Sequence, residues 1–228
     1  MYNRENPNSV KELFDTIASG YDFSNNLMSL GFHNRIKKKS IQKLPDLNEG
    51  TILDLCCGTG DMLVLLSKKY PKCKVIGIDF SKGMLEIAEK KTKKLTNIRL
   101  EIGDVTNLKY ENVDLVNISF GLRNLPNFQT FLEQVYSVLK RDGILSILDL
   151  GRPTPPVSYL YNIYFNQMIP KIGSLGHKKE TPYQYLVESL KSYPTQTKMV
   201  EMLIKTGFKT AQNTNYFGGI IAQQIAKK

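Results

Sequence analysis

The sequence predicts an α/β fold in which a parallel, Rossmann-like sheet carries helices on both faces. Three observations predict it. Apolar strand segments alternate with amphipathic helix segments, a glycine turn at Gly58 and Gly60 follows the first core strand, and an acid, Asp79, ends the second. Strand, turn, helix, strand and acid in this order are typical of a nucleotide-binding βαβ unit. With 228 residues, 41% of them hydrophobic, the chain can bury the core of one such domain.

The elements follow in order from the amino terminus. Apolar residues at helical spacing predict a helix over Asn8–Ser29 with a turn at Gly20, and a short basic helix is predicted over Ile36–Leu44. The five core strands are predicted at Ile52–Leu55, Val75–Asp79, Ile98–Ile102, Val113–Ser119 and Ile144–Asp149. The helices that alternate with them are predicted at Asp61–Lys69, Lys82–Lys93 and Asn127–Lys140, with a turn at 141–143.

The end of the chain departs from this alternation. A helix over Met199–Thr206 is predicted to close at Gly207. Two strands, Phe208–Tyr216 and Ile220–Ala226, are then predicted to form a hairpin around a Gly-Gly turn.

Residues 153–194 interrupt the rhythm between the fifth strand and the last helix. They are rich in tyrosine, and their prolines prevent one long helix. Because they follow the carboxyl end of a strand, we expect them beside the ligand crevice, as a helical cap on the sheet or as an aromatic-rich lid over an apolar pocket. The predicted organisation is one domain, 1–228, with an amino-terminal helical substrate cover (1–45), a ligand-binding core (46–151), the lid (152–195) and a last helix with closing hairpin (196–228).

The glycine turn indicates which ligand the core binds. A dinucleotide site has a third glycine three residues after Gly60, for close packing of the helix, and Leu63 stands there instead. The acids Asp54 and Asp61 flank the turn, where they would repel a pyrophosphate and suit a ligand with a cationic centre and an amino-acid tail. S-adenosylmethionine (SAM) is such a ligand. Asp54 either contacts it or only orients the glycine loop.

Charge and cysteine content limit the remaining classes of function. The net charge of +10 fits a solvated lysine-rich surface, nucleic acid or an anionic membrane, and no nucleic-acid-binding module is recognisable. Three cysteines, two of them adjacent at Cys56 and Cys57, do not form a disulfide framework, and His33 and His177 lack metal-ligand spacing relative to them. We therefore expect no metal. No signal peptide or membrane-spanning run is recognisable, which predicts a soluble, intracellular protein.

Several motifs resemble one family along nearly the whole chain. They are FDTIASGYDFSNNLMSLGFH (14–33), ILDLCCGTGD (52–61), GIDFSKGML (77–85), ISFGLRNL (118–125), YFNQMIPKIG (164–173), YQYLVESLKSYP (183–194) and YFGGIIA (216–222). In this combination they resemble the ubiquinone/menaquinone biosynthesis C-methyltransferases. The SAM loop alone is shared by many methyltransferases, whereas FDTIASGYD together with FGLRN is far more specific.

The resemblance implies a class I SAM-dependent methyltransferase fold with strand order 3-2-1-4-5-7-6. It also implies methylation of a ring carbon on a polyprenylated quinol. By motif, the implied cofactor-binding residues are Asp54, Gly58, Thr59, Gly60, Asp79, Phe80, Asp104, Val105 and Ser119. Two departures stand out: Asp104-Val105 replaces a frequent Asn-Ala, and this chain, which has no tryptophan, carries His33-Asn34-Arg35 where relatives often have Trp-Arg.

Ring methylation needs a quinol whose hydroxyl loses its proton, because an oxidised quinone is an electrophile. Arg123 is expected to stabilise the phenolate or to hold a water, with a purely structural salt bridge as the alternative, and Asn124 to orient that water or a quinol oxygen. Tyr21 and Asp22 belong to the segment expected to close over the substrate. Asp22 or His33 is expected to take up the ring proton.

The leading hypothesis is a demethylmenaquinol methyltransferase. The alternatives are benzoquinol methylation in the ubiquinone pathway, or both reactions, and outside the family an RNA or small-phenol methyltransferase. A basic rim and an apolar lid predict transient, peripheral contact with a membrane surface, with the protein in the cytoplasm or on the matrix or stroma side of an organelle. Nucleic acid is not expected as a partner, and a homodimer is compatible with the sequence.

Overall fold

The computed structural model describes residues 6–22, 32–163 and 189–228. Its helices are α1 (Pro7–Ile17), α2 (Phe32–Gln42), α3 (Asp61–Lys69), α4 (Lys82–Thr92), α5 (Phe128–Val138), α6 (Val157–Ile163) and α7 (Gln196–Thr206). Its strands are β1 (Thr51–Leu55), β2 (Lys74–Asp79), β3 (Ile98–Ile102), β4 (Val113–Ser119), β5 (Leu139–Leu150), β6 (Thr210–Tyr216) and β7 (Ile221–Lys227). Short 3-10 turns lie at Ala18–Gly20, Leu122–Asn124 and Phe217–Gly219.

The strands form one seven-stranded sheet in the order β3-β2-β1-β4-β5-β7-β6, which confirms the predicted fold class. β1 to β5 are parallel, and β7 pairs antiparallel with both β5 and β6. The predicted hairpin is therefore confirmed. Since the central parallel strands are buried on both faces, they read as continuous apolar runs, and Leu53 and Leu115 are both fully buried.

Helices cover both faces of the sheet, as predicted. On one face α5 and α7 pack on alternate residues of the strands, including Leu53 and Val116. On the other face α2 and α3 pack on the intervening residues, including Ile52 and Leu115. This alternation of neighbours follows from the two-residue period of a strand.

Three predicted boundaries near α2 and β5 were wrong. The helix predicted to end at Lys140 ends at Val138, because Leu139 already pairs with Val113 and begins β5. The turn predicted at 141–143 is instead an irregularity within β5, where Asp142 has φ +65° and the register with β4 shifts. The basic helix predicted from Ile36 begins at Phe32, because its buried face already includes His33. A polar histidine gives no apolar signal, so sequence periodicity missed this first turn.

Candidate active site

A cleft opens at the carboxyl ends of the first four parallel strands. Its empty volume is about 740 Å³, including the part open to solvent. The residues that follow each strand line it: Cys56 and Gly58 after β1, Asp79 and Phe80 at β2, Gly103, Asp104 and Val105 after β3, and Ser119 at the end of β4. This edge of the sheet is where open α/β folds bind ligands.

The glycine turn supports one wall of this cleft. Gly58 and Gly60 have φ of +53° and +85°, which side chains other than glycine rarely adopt. A Cβ on Gly60 would lie 3.1 Å from the Cβ of Ala88, so this glycine also lets α4 approach. Leu63 occupies the position of the absent third glycine. It fits because residue 77 is a glycine, where a Cβ would lie only 2.6 Å from Leu63 Cδ1. The helix therefore packs closely without that third glycine.

Asp79 joins the turn to the end of β2. Its Oδ2 accepts from the backbone N–H of Gly58 at 2.8 Å, and its Oδ1 accepts from that of Ser81 at 2.9 Å. Burial raises the pKa of the carboxyl, and these backbone N–H groups oppose that rise. A carboxylate can accept about four hydrogen bonds, so each oxygen can still accept one from a ligand hydroxyl.

Asp54 lies behind the turn and is 1% exposed. Its Oδ1 accepts from Asn117 Nδ2 at 2.7 Å, and the same amide donates to Ser119 Oγ at 3.2 Å. No donor among the described residues reaches Asp54 Oδ2. Burial raises the pKa of this carboxyl from 3.8 to about 7. A cation in the neighbouring cleft would therefore favour its ionised form.

The raised pKa of Asp54 predicts a pH-dependent stability. The unfolded carboxyl ionises near pH 3.8 and the folded one near 7, so the folded state holds the extra proton between these values. The cost of the buried charge is thus absent below about pH 4 and complete above about pH 7, where it reaches at most about 4 kcal/mol. Asp54→Asn should raise the free energy of unfolding of the ligand-free protein at pH 8 and leave it unchanged at pH 4.

Urea denaturation at the two pH values measures this difference. Asp46→Asn is the matched control, since the Asp46 side chain is fully exposed. An equal response of both variants at pH 8 would contradict the assignment of the buried charge to Asp54.

The far end of the cleft combines apolar walls with an acid. Phe80, Met84, Val105 and Leu125 line it. The exposed Asp104 uses Oδ1 to accept from the backbone N–H and the hydroxyl of Thr106, both at 2.8 Å. Its Oδ2 is not engaged by the described residues. A flat heterocycle with an exocyclic amine suits this arrangement.

The amino-terminal segment covers the cleft. Val10 and Phe14 of α1 and Tyr21 beyond it are lining residues. Phe14 contacts the rings of Tyr21 and Phe80, with centroids 6.2 and 6.4 Å apart. These contacts place the amino-terminal segment over the cleft; residues 23–31 lie outside the described part of the chain.

The donor set of the cleft fits SAM. Within the described chain the lining includes two acids, Asp79 and Asp104, and no lysine or arginine. Such a lining suits a sulfonium with a ribose diol and disfavours a pyrophosphate. Asp79 can accept from the diol, the apolar walls can hold the adenine, and the unpartnered Oδ2 of Asp54 supplies buried negative potential behind the turn.

A polar network, defined by Asp22, Lys37, Thr59, Asp61 and Lys91, surrounds the outer side of the turn. Lys91 Nζ lies 2.6 Å from both Asp22 Oδ2 and Asp61 Oδ1, and Lys37 Nζ lies 2.9 Å from Asp61 Oδ2. Thr59 Oγ1 donates to Asp22 Oδ1 at 2.7 Å. Burial alone would raise the pKa of Asp61, but the two lysines hold it below its ordinary value. The negative charge expected from Asp61 is therefore compensated.

His33 lies on the buried side of α2 close to this network. Burial lowers the pKa of the imidazole, and Lys37 lowers it further. The ring is therefore neutral at pH 7, the form that can accept a proton. Of the two proton acceptors predicted from the sequence, Asp22 has both oxygens engaged in the network, which makes it a tie between the amino-terminal segment and the turn.

Because both Asp22 oxygens are engaged in the polar network, we expect its replacement to lower the catalytic rate only modestly. A well-placed base contributes about 10²–10⁴-fold to the rate, so removing one is conspicuous. Asp22→Asn should instead lower kcat less than about tenfold and raise the KM for SAM several-fold, because the cover loses its contact with Lys91. Lys91→Met should raise the KM for SAM to a similar extent, because it removes the other member of the same ion pair. Steady-state methyl transfer measures both, and a hundredfold loss of kcat confined to Asp22→Asn would identify a base instead.

Arg123 and Asn124 follow β4 on the 3-10 turn Leu122–Asn124, beside the cleft as expected. Arg123 Nη1 donates to Asp149 Oδ1 at 2.6 Å and to the carbonyl of Phe120 at 2.7 Å, and its backbone N–H donates to Asp149 Oδ2 at 3.3 Å. The two charged side chains form a buried ion pair. Among the described residues Asn124 lines the cleft and Arg123 does not. Asn124 Oδ1 is buried without a hydrogen-bond partner in that part of the chain.

Two tyrosines of the predicted lid lie near this ion pair. Tyr161 on α6 is close enough for the Arg123 charge to oppose the rise in its pKa that burial causes. Tyr193 is 6% exposed and packs edge-to-face on Phe128, with centroids 5.5 Å apart, so it belongs to the core. Residues 164–188, which include His177 and three of the six lid tyrosines, lie outside the described residues.

Comparison with known proteins identifies the family. The model of the ubiE/COQ5 methyltransferase family matches residues 2–228, nearly the entire chain. The chain belongs to the ubiE/COQ5 methyltransferase family. It is similar to the demethylmenaquinone methyltransferase of Staphylococcus saprophyticus, with 34% identity covering 99% of each chain. It is also similar to that of Lactococcus lactis, with 36% identity over 98% of this chain and 91% of the relative.

Solved structures agree on the fold. A SAM-dependent methyltransferase from Aquifex aeolicus superposes with a TM-score of 0.61 at 20% identity, covering 84% of this chain and 88% of the other. This ubiE/COQ5 family member is thus a SAM-dependent methyltransferase with the class I fold. Three of its site residues, Lys37, Lys91 and Asp149, were not among the sequence candidates. Asp149 could have been found as an acid ending a predicted strand, whereas nothing separates Lys91 from the lysines around it.

Proposed function

We propose that this chain transfers the methyl group of SAM to a ring carbon of a polyprenylated quinol, with demethylmenaquinol as the substrate. The similarity over 99% of both chains to a demethylmenaquinone methyltransferase is the observation that supports it most. The cleft supports the cofactor half of the proposal through its acidic, lysine-free described lining.

The proposed cofactor contacts follow the order of the strands. Asp79 accepts from the ribose hydroxyls, and Asp104 and Val105 hold the adenine, with Phe80 against it. The backbone of Gly58, Thr59 and Gly60 faces the amino-acid tail, and Asp54 and Ser119 complete the inner wall. When bound, SAM supplies an activated methyl group, and the protein has to position and activate the carbon that accepts it.

Asn124 is proposed to contact the quinol. Its buried Oδ1, which has no hydrogen-bond partner among the described residues, can accept from a ring hydroxyl, which aligns the ring and weakens the O–H bond. Positioning of this kind contributes up to about 7–11 kcal/mol to a rate. Arg123, whose Nη1 is bonded to Asp149, is proposed as a positioning residue that holds the turn and adds positive potential where phenolate charge develops. Tyr21 covers the ring, and the neutral His33 is proposed as the proton acceptor.

Methyl transfer from labelled SAM tests the proposal. The substrates are chemically reduced demethylmenaquinol and the demethylated ubiquinol precursor in detergent micelles, with oxidised demethylmenaquinone as control. Product is expected from demethylmenaquinol and none from the oxidised form. Product from the benzoquinol alone would select the ubiquinone-pathway alternative. No product from either quinol, with SAM still bound, would reject quinol methylation.

Peripheral membrane association is part of the same proposal, because a polyprenyl tail keeps the substrate in a bilayer. None of the helices over the described residues has the length and apolarity that crossing a bilayer requires. Sedimentation with vesicles at low and high salt tests the association. Light scattering of the purified chain distinguishes a monomer from a homodimer.

A further inference from the structure

Helix α2 has one buried and one strongly basic side. His33, Ile36, Ser40 and Ile41 face the protein. The opposite side is exposed, and helical spacing brings Phe32, Arg35, Lys38, Lys39 and Lys43 together there. No acidic residue occurs within α2. A helix with this distribution of charge suits an anionic partner.

An exposed aromatic pair continues this side of α2. Phe32 and Phe217 are 41% and 49% exposed, and their rings meet edge-to-face with centroids 5.2 Å apart. The Arg35 guanidinium lies 5.7 Å from the Phe32 ring centroid. Phe217 occupies the turn before β7, onto which Val157 of α6 also packs, and Tyr159 of the same helix is 68% exposed. Aromatic rings beside cations are typical of surfaces that sit at a membrane–water boundary.

This surface is joined to the active-site cleft by a small apolar cluster. Ile36 of α2 packs with Leu148 and Ile221, and Phe120 packs against the same cluster. Phe120 is also a lining residue of the cleft. The exposed pair and the cleft therefore lie at the same end of the sheet, where a tail leaving the cleft would reach a bilayer touching Phe32 and Phe217.

We propose that the docking face, defined as Phe32, Arg35, Lys38, Lys39 and Phe217, binds the surface of an anionic lipid bilayer and presents the cleft to it. The basic side chains contact the headgroups, and the two phenylalanine rings enter the interfacial region. The inference rests on the proposed function only in stating that the cleft is presented to the bilayer, since vesicle binding is measured without the reaction.

The test is co-sedimentation with phosphatidylcholine vesicles, with and without about one third phosphatidylglycerol, at low salt. Wild type should bind the anionic vesicles only. Lys38→Glu/Lys39→Glu should lower the partition coefficient about tenfold or more. Lys72→Glu/Lys74→Glu is the control, since both residues are exposed at the amino end of β2 and the charge change is the same. Phe32→Ser/Phe217→Ser should also weaken binding, whereas Ile204→Ser, at an exposed position on α7, should not.

Activity separates this inference from the proposed function. All of these variants should methylate a tail-free reduced naphthoquinol like wild type, and only the docking-face variants should lose activity on demethylmenaquinol in anionic vesicles. Equal vesicle binding by the docking-face and control variants overturns the inference. Binding of a labelled RNA through Lys38 and Lys39, without vesicle binding, also overturns it. A dimer that Phe32→Ser/Phe217→Ser dissociates while vesicle binding persists overturns it as well. Failure of wild type on both substrates rejects the proposed function alone.

Discussion

Asp79→Ala is expected to weaken SAM binding about 10²–10³-fold. Each hydrogen bond to a charged acceptor contributes about 1.5–3 kcal/mol, and the carboxylate is proposed to accept from the two ribose hydroxyls. The same oxygens hold the N–H groups of Gly58 and Ser81, so the substitution also loosens the glycine turn. Isothermal titration with SAM measures the loss.

Two matched variants separate these effects. Asp79→Asn keeps the shape and one acceptor oxygen, so its loss should be smaller than that of alanine. Asp104→Asn should weaken binding less than Asp79→Ala, because the amide oxygen can still accept one of the hydrogen bonds that the carboxylate accepts. Affinity of Asp79→Ala within about threefold of wild type, with the fold intact by circular dichroism, would place the ribose elsewhere.

Arg123→Met is expected to lower kcat about 100-fold and to destabilise the protein by about 3–5 kcal/mol. The destabilisation arises because Asp149, 2% exposed, would remain as an uncompensated buried charge. The loss of kcat arises because the turn carrying Asn124 loses its anchor, and a displacement near 1 Å can cost about 10²-fold. Urea denaturation and steady-state kinetics measure the two effects.

The double variant Arg123→Met/Asp149→Leu distinguishes positioning from stability. Replacing both charges by apolar groups should recover most of the lost stability, since no buried charge remains. It should keep the KM for SAM and retain the low kcat. Recovery of kcat together with stability would show that Arg123 serves the fold alone.

Local patterns in the sequence predicted most elements of the fold. The strands of the parallel core are apolar runs bounded by turn residues, so their positions were predicted within one or two residues, except at the start of β5. That start was missed because residues 139–143 have no strand pattern of their own, and pairing with Val113 extends the strand. The order 3-2-1-4-5-7-6 came from the family resemblance, since periodicity carries no information about which strands are neighbours.

Six of the nine predicted cofactor-binding residues line the cleft, because they follow strand ends and the carboxyl ends of parallel strands share one edge. The partners of the charged residues were not predictable from the sequence. Arg123 had been expected to face the substrate, but Asp149, 26 residues later, takes up its Nη1. Asp22 was a candidate acceptor of the ring proton, and Lys91 Nζ lies 2.6 Å from its Oδ2. Contacts between residues far apart in the chain leave no local signal.

The fold class, the glycine turn, the acid at the end of β2 and the family are all predictable from the amino-acid sequence, because each depends on residue types at fixed local spacing. Three further properties become visible only once the chain has folded: which charges are compensated, which carboxyl is buried with a raised pKa, and which basic residues share one surface with exposed aromatic rings. These properties depend on distance and desolvation, which are set when separate segments of the chain pack together.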